Sequence, residues 1–79
     1  MKMSQKEIAD WCENHVKMKS RIFDGIGANY SLIFENGDKY EYREKELSYY
    51  EKIVEIYINS ELVNVTKYRS ENFGWIAIA

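Results

Sequence analysis

The segment NYSLIFENGDKYEYRE, residues 29–44, constrains the fold most, because only one turn sorts its residues by polarity. A two-residue turn at Asn36-Gly37 would mix apolar and charged side chains on both faces of a hairpin. A three-residue loop with Gly37 in the left-handed bulge position instead places Leu32 opposite Tyr40. This alternation predicts an antiparallel sheet with one packed and one wet face. The packed face would carry Tyr30, Leu32, Phe34, Tyr40 and Tyr42, and the wet face Ser31, Ile33, Lys39, Glu41 and Arg43.

The N-terminal segment predicts an amphipathic helix over residues 5 to about 18. Ser4 and Glu7 have the spacing of a capping box, in which each side chain bonds the other residue's amide. Met3 and Ile8 stand at the two positions of a hydrophobic staple. The predicted packed face recurs at i, i+3, i+4, i+7 and i+8 and consists of Ile8, Trp11, Cys12, His15 and Val16.

A second hairpin is predicted within VEIYINSELVNV, residues 54–65. Its β-branched residues alternate with polar ones, as they do in strands. A loop at Asn59-Ser60 places Val54 opposite Val65, so that both strands agree on the apolar side. The segment ENFGWIAIA that follows reads as a last strand, which must be covered, paired within the sheet or used as an edge.

Two stretches are less regular. Residues 24–27, DGIG, read as a loop in which either glycine can take a positive φ, and residues 21–23 fit a short strand or the end of the helix. In residues 44–52 helical and strand spacings compete. We predict a short helical turn near residues 45–50, followed by a strand over about 52–58.

The chain has 79 residues, of which 46% are hydrophobic. A chain this short holds one core, so residues 1–79 are expected to form a single small domain. The predicted class is α+β, with an N-terminal amphipathic helix packed on one face of a four- to five-stranded antiparallel sheet built from hairpins.

Several function classes are disfavoured. No apolar stretch approaches the roughly 20 residues of a membrane-spanning helix, and the N-terminus lacks the apolar core of a secretory signal. Cys12 is the single cysteine, so no internal disulfide is possible and a cytoplasmic location is expected. No pattern indicates a cofactor.

Cys12 and His15 form a C-x-x-H pair on one helical face, the one constellation that suggests an enzyme or a metal site. A structural zinc needs four ligands, and the chain holds no further Cys or His. Nucleophilic catalysis would also need an oxyanion site and a water-excluding pocket. We therefore expect no enzymatic activity and no bound metal, with both residues packing at the edge of the core.

Nucleic-acid binding through sheet aromatics is an alternative, because Tyr40 and Tyr42 alternate with Lys39 and Arg43. However, the predicted register points the tyrosines and the cations to opposite faces. Residues 34–61 carry four Lys/Arg against eight Asp/Glu, whereas nucleic-acid affinity comes mostly from neutralised phosphates. Direct nucleic-acid binding is thus disfavoured.

Protein recognition remains, since tyrosine and tryptophan beside charged residues are common anchors of interfaces. The expected partner is a host protein or protein complex, and a homodimer through the C-terminal strand is a second possibility. The composition is rich in Ile, Lys, Tyr and Asn and lacks proline, as in AT-rich phages. An inhibitor of the anti-CRISPR kind is therefore the specific hypothesis. The candidate partner-binding residues are Glu44, Glu46, Tyr49, Tyr50, Glu51, Glu55 and Trp75.

Overall fold

The computed structural model describes residues 1–16, 21–72 and 74–78. One helix precedes six strands, which form a single antiparallel sheet in chain order. The α+β class is confirmed, but six strands are described where four or five were expected. The elements are α1 (Gln5–Val16), β1 (Arg21–Ile26), β2 (Asn29–Phe34), β3 (Lys39–Ser48), β4 (Glu51–Ile58), β5 (Glu61–Glu71) and β6 (Gly74–Ala77).

The additional strand is β1, which includes residues 24–26 of the segment predicted as a loop. Gly25 lies opposite Tyr30 in the β1–β2 ladder, and a Cβ at this position would stand 2.6 Å from the Tyr30 Cβ. This glycine therefore permits close approach within the sheet rather than a turn. The turn itself lies at Gly27, whose φ is 63°.

The first hairpin has the predicted register. Leu32 pairs with Tyr40, and the intervening loop has three residues, ending at Gly37 with φ 91°. The Phe34 amide donates to the Asp38 carbonyl at 2.9 Å and closes the loop. The polarity of the two faces therefore predicted the three-residue loop correctly.

The predicted helical turn near residues 45–50 is wrong, because β3 continues to Ser48 and a two-residue turn at Tyr49 and Tyr50 leads into β4. A bulge at Leu47 precedes that turn. Pairing with β4 keeps this segment extended, since residues 40–46 of β3 each lie opposite a residue of opposite charge or one that is apolar or aromatic. Lys52, for example, lies opposite Glu46 in the ladder, and its Nζ lies 2.7 Å from Oε1 of Glu44, a diagonal neighbour on the same face.

The second hairpin turns at Asn59 and Ser60 as predicted, both with positive φ, and it keeps the predicted register as far as the Tyr57–Leu62 pair, but the predicted register is wrong beyond that pair. Val63 is an extra residue in β5, and Val54 therefore pairs with Thr66 instead of Val65. Such a bulge exchanges the faces of all the residues that follow it. Val63 itself stays on the packed face and is 2% exposed, whereas Val65 is turned outward and is 50% exposed.

The core lies between α1 and one face of the sheet. Its members are Ile8, Phe34, Tyr40, Val54, Ile56, Ile58 and Val63. The capping box is confirmed: the Glu7 amide donates to Ser4 Oγ at 3.1 Å, and the Ser4 amide to Glu7 Oε1 at 3.0 Å. Residues 17 and 18, which the prediction included in the helix, lie outside the described residues.

Helix α1 crosses the strands near the β2–β3 and β4–β5 turns and is fixed at both ends. At its start, the Met3 amide donates to the Val63 carbonyl at 2.8 Å, a group that the bulge frees from the ladder. At its end, His15 Nε2 lies 2.7 Å from Asp38 Oδ2. Since strands β3 to β5 are eight to eleven residues long, the far part of this face is left uncovered.

We call this uncovered part of the helix-side face the open end, and the face turned away from α1 the outer face. No described element covers the outer face, which carries cross-strand ion pairs such as Lys45 with Glu55 at 3.2 Å. The chain exposes 5788 Å², more than the roughly 5,000 Å² of a compact monomer of its mass. Within the described residues, no helix has the length and apolar character needed to span a membrane.

Candidate functional site

A trough of about 390 Å³ occupies the open end of the sheet. It extends from the start of β2, across β3 and β4, to β6. The side chains that line it combine two carboxylates, one ammonium group, one amide and two aromatic rings. They are Asn29, Glu44, Glu46, Tyr49, Lys52 and Trp75.

The floor of the trough is a hydrogen-bonded network centred on Glu44. Its Oε1 accepts from Lys52 Nζ at 2.7 Å and from the Tyr42 hydroxyl at 2.8 Å. The Lys52 hydrogen bond lowers the pKa of Glu44, while burial is the main cause that raises the pKa of Tyr42. At neutral pH this part of the floor is therefore a carboxylate held between a cation and a phenol.

Lys52 also connects the floor to the aromatic wall. Its Nζ lies 4.5 Å from the centroid of the Trp75 ring and 5.8 Å from that of Tyr68. A cation at this distance from an indole face is attracted by the ring's quadrupole. The ammonium group thus orients Trp75, which remains 45% exposed.

Two tyrosines form the turn at the end of the trough. Tyr49 is 83% exposed and Tyr50 63% exposed, and their rings meet edge to face at 5.1 Å. Short hairpin turns favour small residues such as Asn, Asp, Ser and Gly, which hydrogen-bond locally or relax the backbone. Two exposed aromatic residues at this turn therefore have no evident role in folding.

The carboxylate of Glu46 is exposed and makes no ion pair with any described residue. It is opposite Lys52 in the β3–β4 ladder, while that ammonium group bonds Glu44 instead. The β1–β2 turn is held against the same region, because the Glu44 amide donates to Asn29 Oδ1 at 2.7 Å. The trough therefore keeps one carboxylate available beside its aromatic rings.

The structure brings together four of the seven predicted partner-binding residues, namely those that line the trough: Glu44, Glu46, Tyr49 and Trp75. Tyr50 stands beside them against Tyr49. The other two lie on the outer face, where Glu51 pairs with Lys67 and Glu55 with Lys45, each at 3.2 Å. They belong to a different surface because side chains alternate along β4.

Sequence reasoning missed Lys52 and Asn29. The spacing in residues 44–52 predicts a partly helical segment, and a helix there leaves no ladder in which Lys52 and Glu44 share a face. A continuous β3–β4 hairpin predicts the pair, since Lys52 lies opposite Glu46 and Glu44 is its diagonal neighbour on the same face. Asn29 carried no signal, because its contact to β3 depends on the turn that precedes β2.

Both residues of the C-x-x-H pair, Cys12 and His15, make contacts that belong to the fold. His15 Nδ1 lies 2.7 Å from the Trp11 carbonyl oxygen, and Nε2 lies 2.7 Å from Asp38. Both partners are acceptors, so only the doubly protonated ring donates to each of them at once. Burial raises the pKa of the Cys12 thiol, which disfavours the nucleophilic thiolate. Among the described residues, no three His, Cys, Asp or Glu side chains are grouped to hold a metal ion.

The first hairpin carries its aromatic residues and its cations on different faces. Tyr40 is 7% exposed beneath α1, and burial is the main cause that raises its pKa. Lys39 and Arg43 lie on the outer face, where both pair with Glu41, at 3.6 and 2.8 Å. Base-binding sheets present aromatic rings and cations on one accessible surface, whereas these groups lie on opposite faces.

The described chain is thus a small α+β protein in which one helix covers half a face of a six-stranded antiparallel meander. Comparisons with protein-family models, curated protein sequences and solved structures give no match for this chain.

Proposed function

We propose that the chain is a non-enzymatic protein-binding module, and that the trough binds a basic segment of a partner protein. The observation that carries this proposal is the combination of the exposed Glu46 carboxylate with two exposed aromatic side chains, Tyr49 and Trp75, around one cavity. Aromatic anchors in a concave site with a charged group at the margin are typical of interface hot spots.

The chemistry of the trough favours a cationic ligand group, and arginine in particular. Lys52 is an example of such cation binding within the chain, since its ammonium group lies over the Trp75 ring and pairs with the Glu44 carboxylate. A guanidinium group from a partner would stack on Tyr49 or the free part of Trp75 and pair with Glu46. Arginine suits such a site better than lysine, because its planar group stacks and forms paired hydrogen bonds together.

An inhibitor of the anti-CRISPR kind is the specific form of this proposal. Nucleic-acid-handling complexes present basic grooves, and an acidic, tyrosine-bearing surface is electrostatically complementary to such a groove. The excess of four negative charges over residues 34–61 would favour encounter with that groove at physiological salt.

The test is an NMR titration of the ¹⁵N-labelled chain with short arginine-containing peptides at 150 mM salt. We expect shifts concentrated at residues 44–50 and 75, including the indole N–H of Trp75 but not that of Trp11. Lysine peptides should bind at least several-fold more weakly. Shifts spread evenly over the charged residues of both faces would contradict the proposal.

Matched variants distinguish binding at the trough from attraction to the overall negative charge of the chain. Glu46→Gln and Tyr49→Ser should each weaken binding at least fivefold, as expected for hot-spot residues. Glu35→Gln removes the same charge from the β2–β3 turn at the other end of the sheet and should leave the affinity unchanged. An equal loss of affinity in the two glutamine variants would show that the interaction depends only on net charge, which would contradict the proposal.

The inhibitor form has its own test, a phage plaque assay on a bacterial host that carries an active RNA-guided nuclease. Expression of the chain should restore plaques, and the Glu46→Gln/Tyr49→Ser double variant should not. Fluorescent single-stranded oligonucleotides serve as the comparison ligand. If they bind below about 10 μM at 150 mM salt with a steep salt dependence, the chain acts on nucleic acid directly.

A further inference from the structure

Strand β6 forms one edge of the described sheet and pairs only with β5. The residues along it are apolar or glycine, and Trp75, Ile76 and Ile78 are 45%, 52% and 41% exposed. Soluble proteins usually protect such an edge with charges, proline, a bulge or a covering element. The described part of this edge has none of these, so it is suited to pair with another strand.

The hydrogen-bonding pattern shows which backbone groups are free. The Ile78 amide donates to the Lys67 carbonyl at 2.9 Å, on the β5 side. Inward and outward positions alternate along an antiparallel ladder. The N–H and C=O groups of Trp75 and Ala77 therefore point away from β5, towards the free edge.

We propose that β6 pairs antiparallel with β6 of a second copy of this chain, about a two-fold axis at Ile76. In this register Trp75 lies opposite Ala77 of the partner subunit, and both residues have their backbone groups turned outward. Two such pairs are related by the axis, which gives four N–H···O=C hydrogen bonds. The two sheets become one continuous sheet of twelve strands.

Side-chain size and face both agree with this register. A two-fold axis perpendicular to a sheet keeps each face continuous, so residues opposite each other must have the same parity in sequence, as 75 and 77 do. The large Trp75 meets the small Ala77 of the partner subunit, and Ile78 meets Gly74 of the partner subunit. Ile76 lies opposite its own copy as an apolar cross-strand pair on the outer face.

The distribution of charges favours β6 over β1, the opposite edge of the described sheet, as the dimer contact. A two-fold contact places every charge near its own copy, so an edge without charges is the more favourable one. The nearest cation, Arg69, is opposite Ile76 on β5, and three strand spacings of about 4.8 Å would separate it from its copy. That distance exceeds the Debye length of about 8 Å. On β1, by contrast, Asp24 lies near the middle of the strand, so a two-fold axis there would bring its two copies close together.

The test uses charge reversal at the axis, without any ligand, so that its outcome is independent of the proposed function. Sedimentation equilibrium of the wild-type chain from 10 μM to 1 mM should show a rise from 9.4 kDa towards twice that mass. Since few residues meet, we expect a dissociation constant on the order of 100 μM. Ile76→Lys and Ile76→Glu should each remain monomeric, because like charges would then face each other.

An equimolar mixture of the two variants should dimerise again, because lysine then faces glutamate across the axis. Only a register in which position 76 meets its own copy predicts this rescue. A wild-type chain that is monomeric at 1 mM would overturn the proposal. So would a dimer that both variants leave intact, since the contact would then lie elsewhere.

A backbone variant gives a second, independent readout. Ala77→Pro removes the outward N–H, which β5 does not use, so the fold should be kept while the dimer dissociates at least tenfold more readily. Ala77→Ser retains the N–H and is the matched control, with unchanged dimerisation. Equal dissociation constants for the proline and serine variants would contradict backbone pairing at this edge.

Discussion

His15 Nε2 lies 2.7 Å from Asp38 Oδ2 and joins the end of α1 to the β2–β3 turn. The same carboxylate receives hydrogen bonds from the side chains of Asn36 and Asn59, at 2.9 and 3.2 Å. Asp38 thus connects the helix with both turns beneath it. The fold depends on this junction because α1 is the only described element that covers the core.

The first prediction concerns pH. The hydrogen bond from His15 is the largest cause that lowers the pKa of Asp38 in the folded chain. A lowered folded-state pKa gives stability that is complete above the unfolded value of about 3.9 and is lost as pH falls through the folded value. Urea unfolding between pH 2.5 and 7 should show this loss, and Asp38→Asn should flatten it and lower the melting temperature at pH 7.

Asp10→Asn is the control for that experiment, because it changes an exposed carboxylate on α1 that makes no described ion pair. Some acid sensitivity should remain in Asp38→Asn, since the Lys52 hydrogen bond also lowers the pKa of Glu44. An acid profile of Asp38→Asn that coincides with the wild-type profile would show that the His15 contact does not contribute.

The second prediction tests the bulge in β5. Val63→Ala removes methyl groups from a buried site and should lower the free energy of unfolding by about 2 kcal/mol. Val65→Ala, two residues away and half exposed, should change it by less than about 0.5 kcal/mol. Chemical denaturation measures both values. Equal losses would indicate the regular register, in which both valines share a face.

The third prediction concerns Gly25. A methyl group there would stand 2.6 Å from the Tyr30 Cβ, so Gly25→Ala should destabilise the chain by about 1–3 kcal/mol through overpacking. Hydrogen exchange should locate the effect in β1 and β2. Gly27→Asn is the matched control, because its φ of 63° suits asparagine and no atom lies within 4 Å of the added Cβ. A Gly25→Ala variant with unchanged stability would contradict the close approach of β1 to β2.

The fourth prediction separates function from folding at the β3–β4 turn. Neither tyrosine there adopts a positive φ, so Tyr49→Ser/Tyr50→Asn should fit the turn and change the free energy of unfolding by less than about 0.5 kcal/mol. The same variant should lose binding of arginine peptides. A destabilisation of 2 kcal/mol or more would instead assign the tyrosines to the fold.

Local sequence was sufficient for the helix start and for the first hairpin. The capping box needs only residues 4–7, and the loop ending at Gly37 follows from the polarity of its two neighbouring strands. In both cases the interacting groups are close in the chain, so one window of sequence contains the whole argument. Four of the trough residues, Glu44, Glu46, Tyr49 and Trp75, are also among those predicted, since aromatic residues beside acidic ones can be recognised in the sequence.

Tertiary structure decided three further features. The bulge at Val63 reverses the faces of the rest of β5, and it frees the carbonyl that fixes the start of α1. The extension of β3 to Ser48 depends on its pairing with β4, which overrides a helical spacing in the sequence. The position of α1 over one half of the sheet creates the trough. The contacts of α1 with Val63 and Asp38 join segments that are far apart in the chain, so no local pattern contains their energies. The β3–β4 pairing and the bulge in β5 are closer in sequence, but residue spacing alone does not distinguish them from a helical turn and a regular ladder.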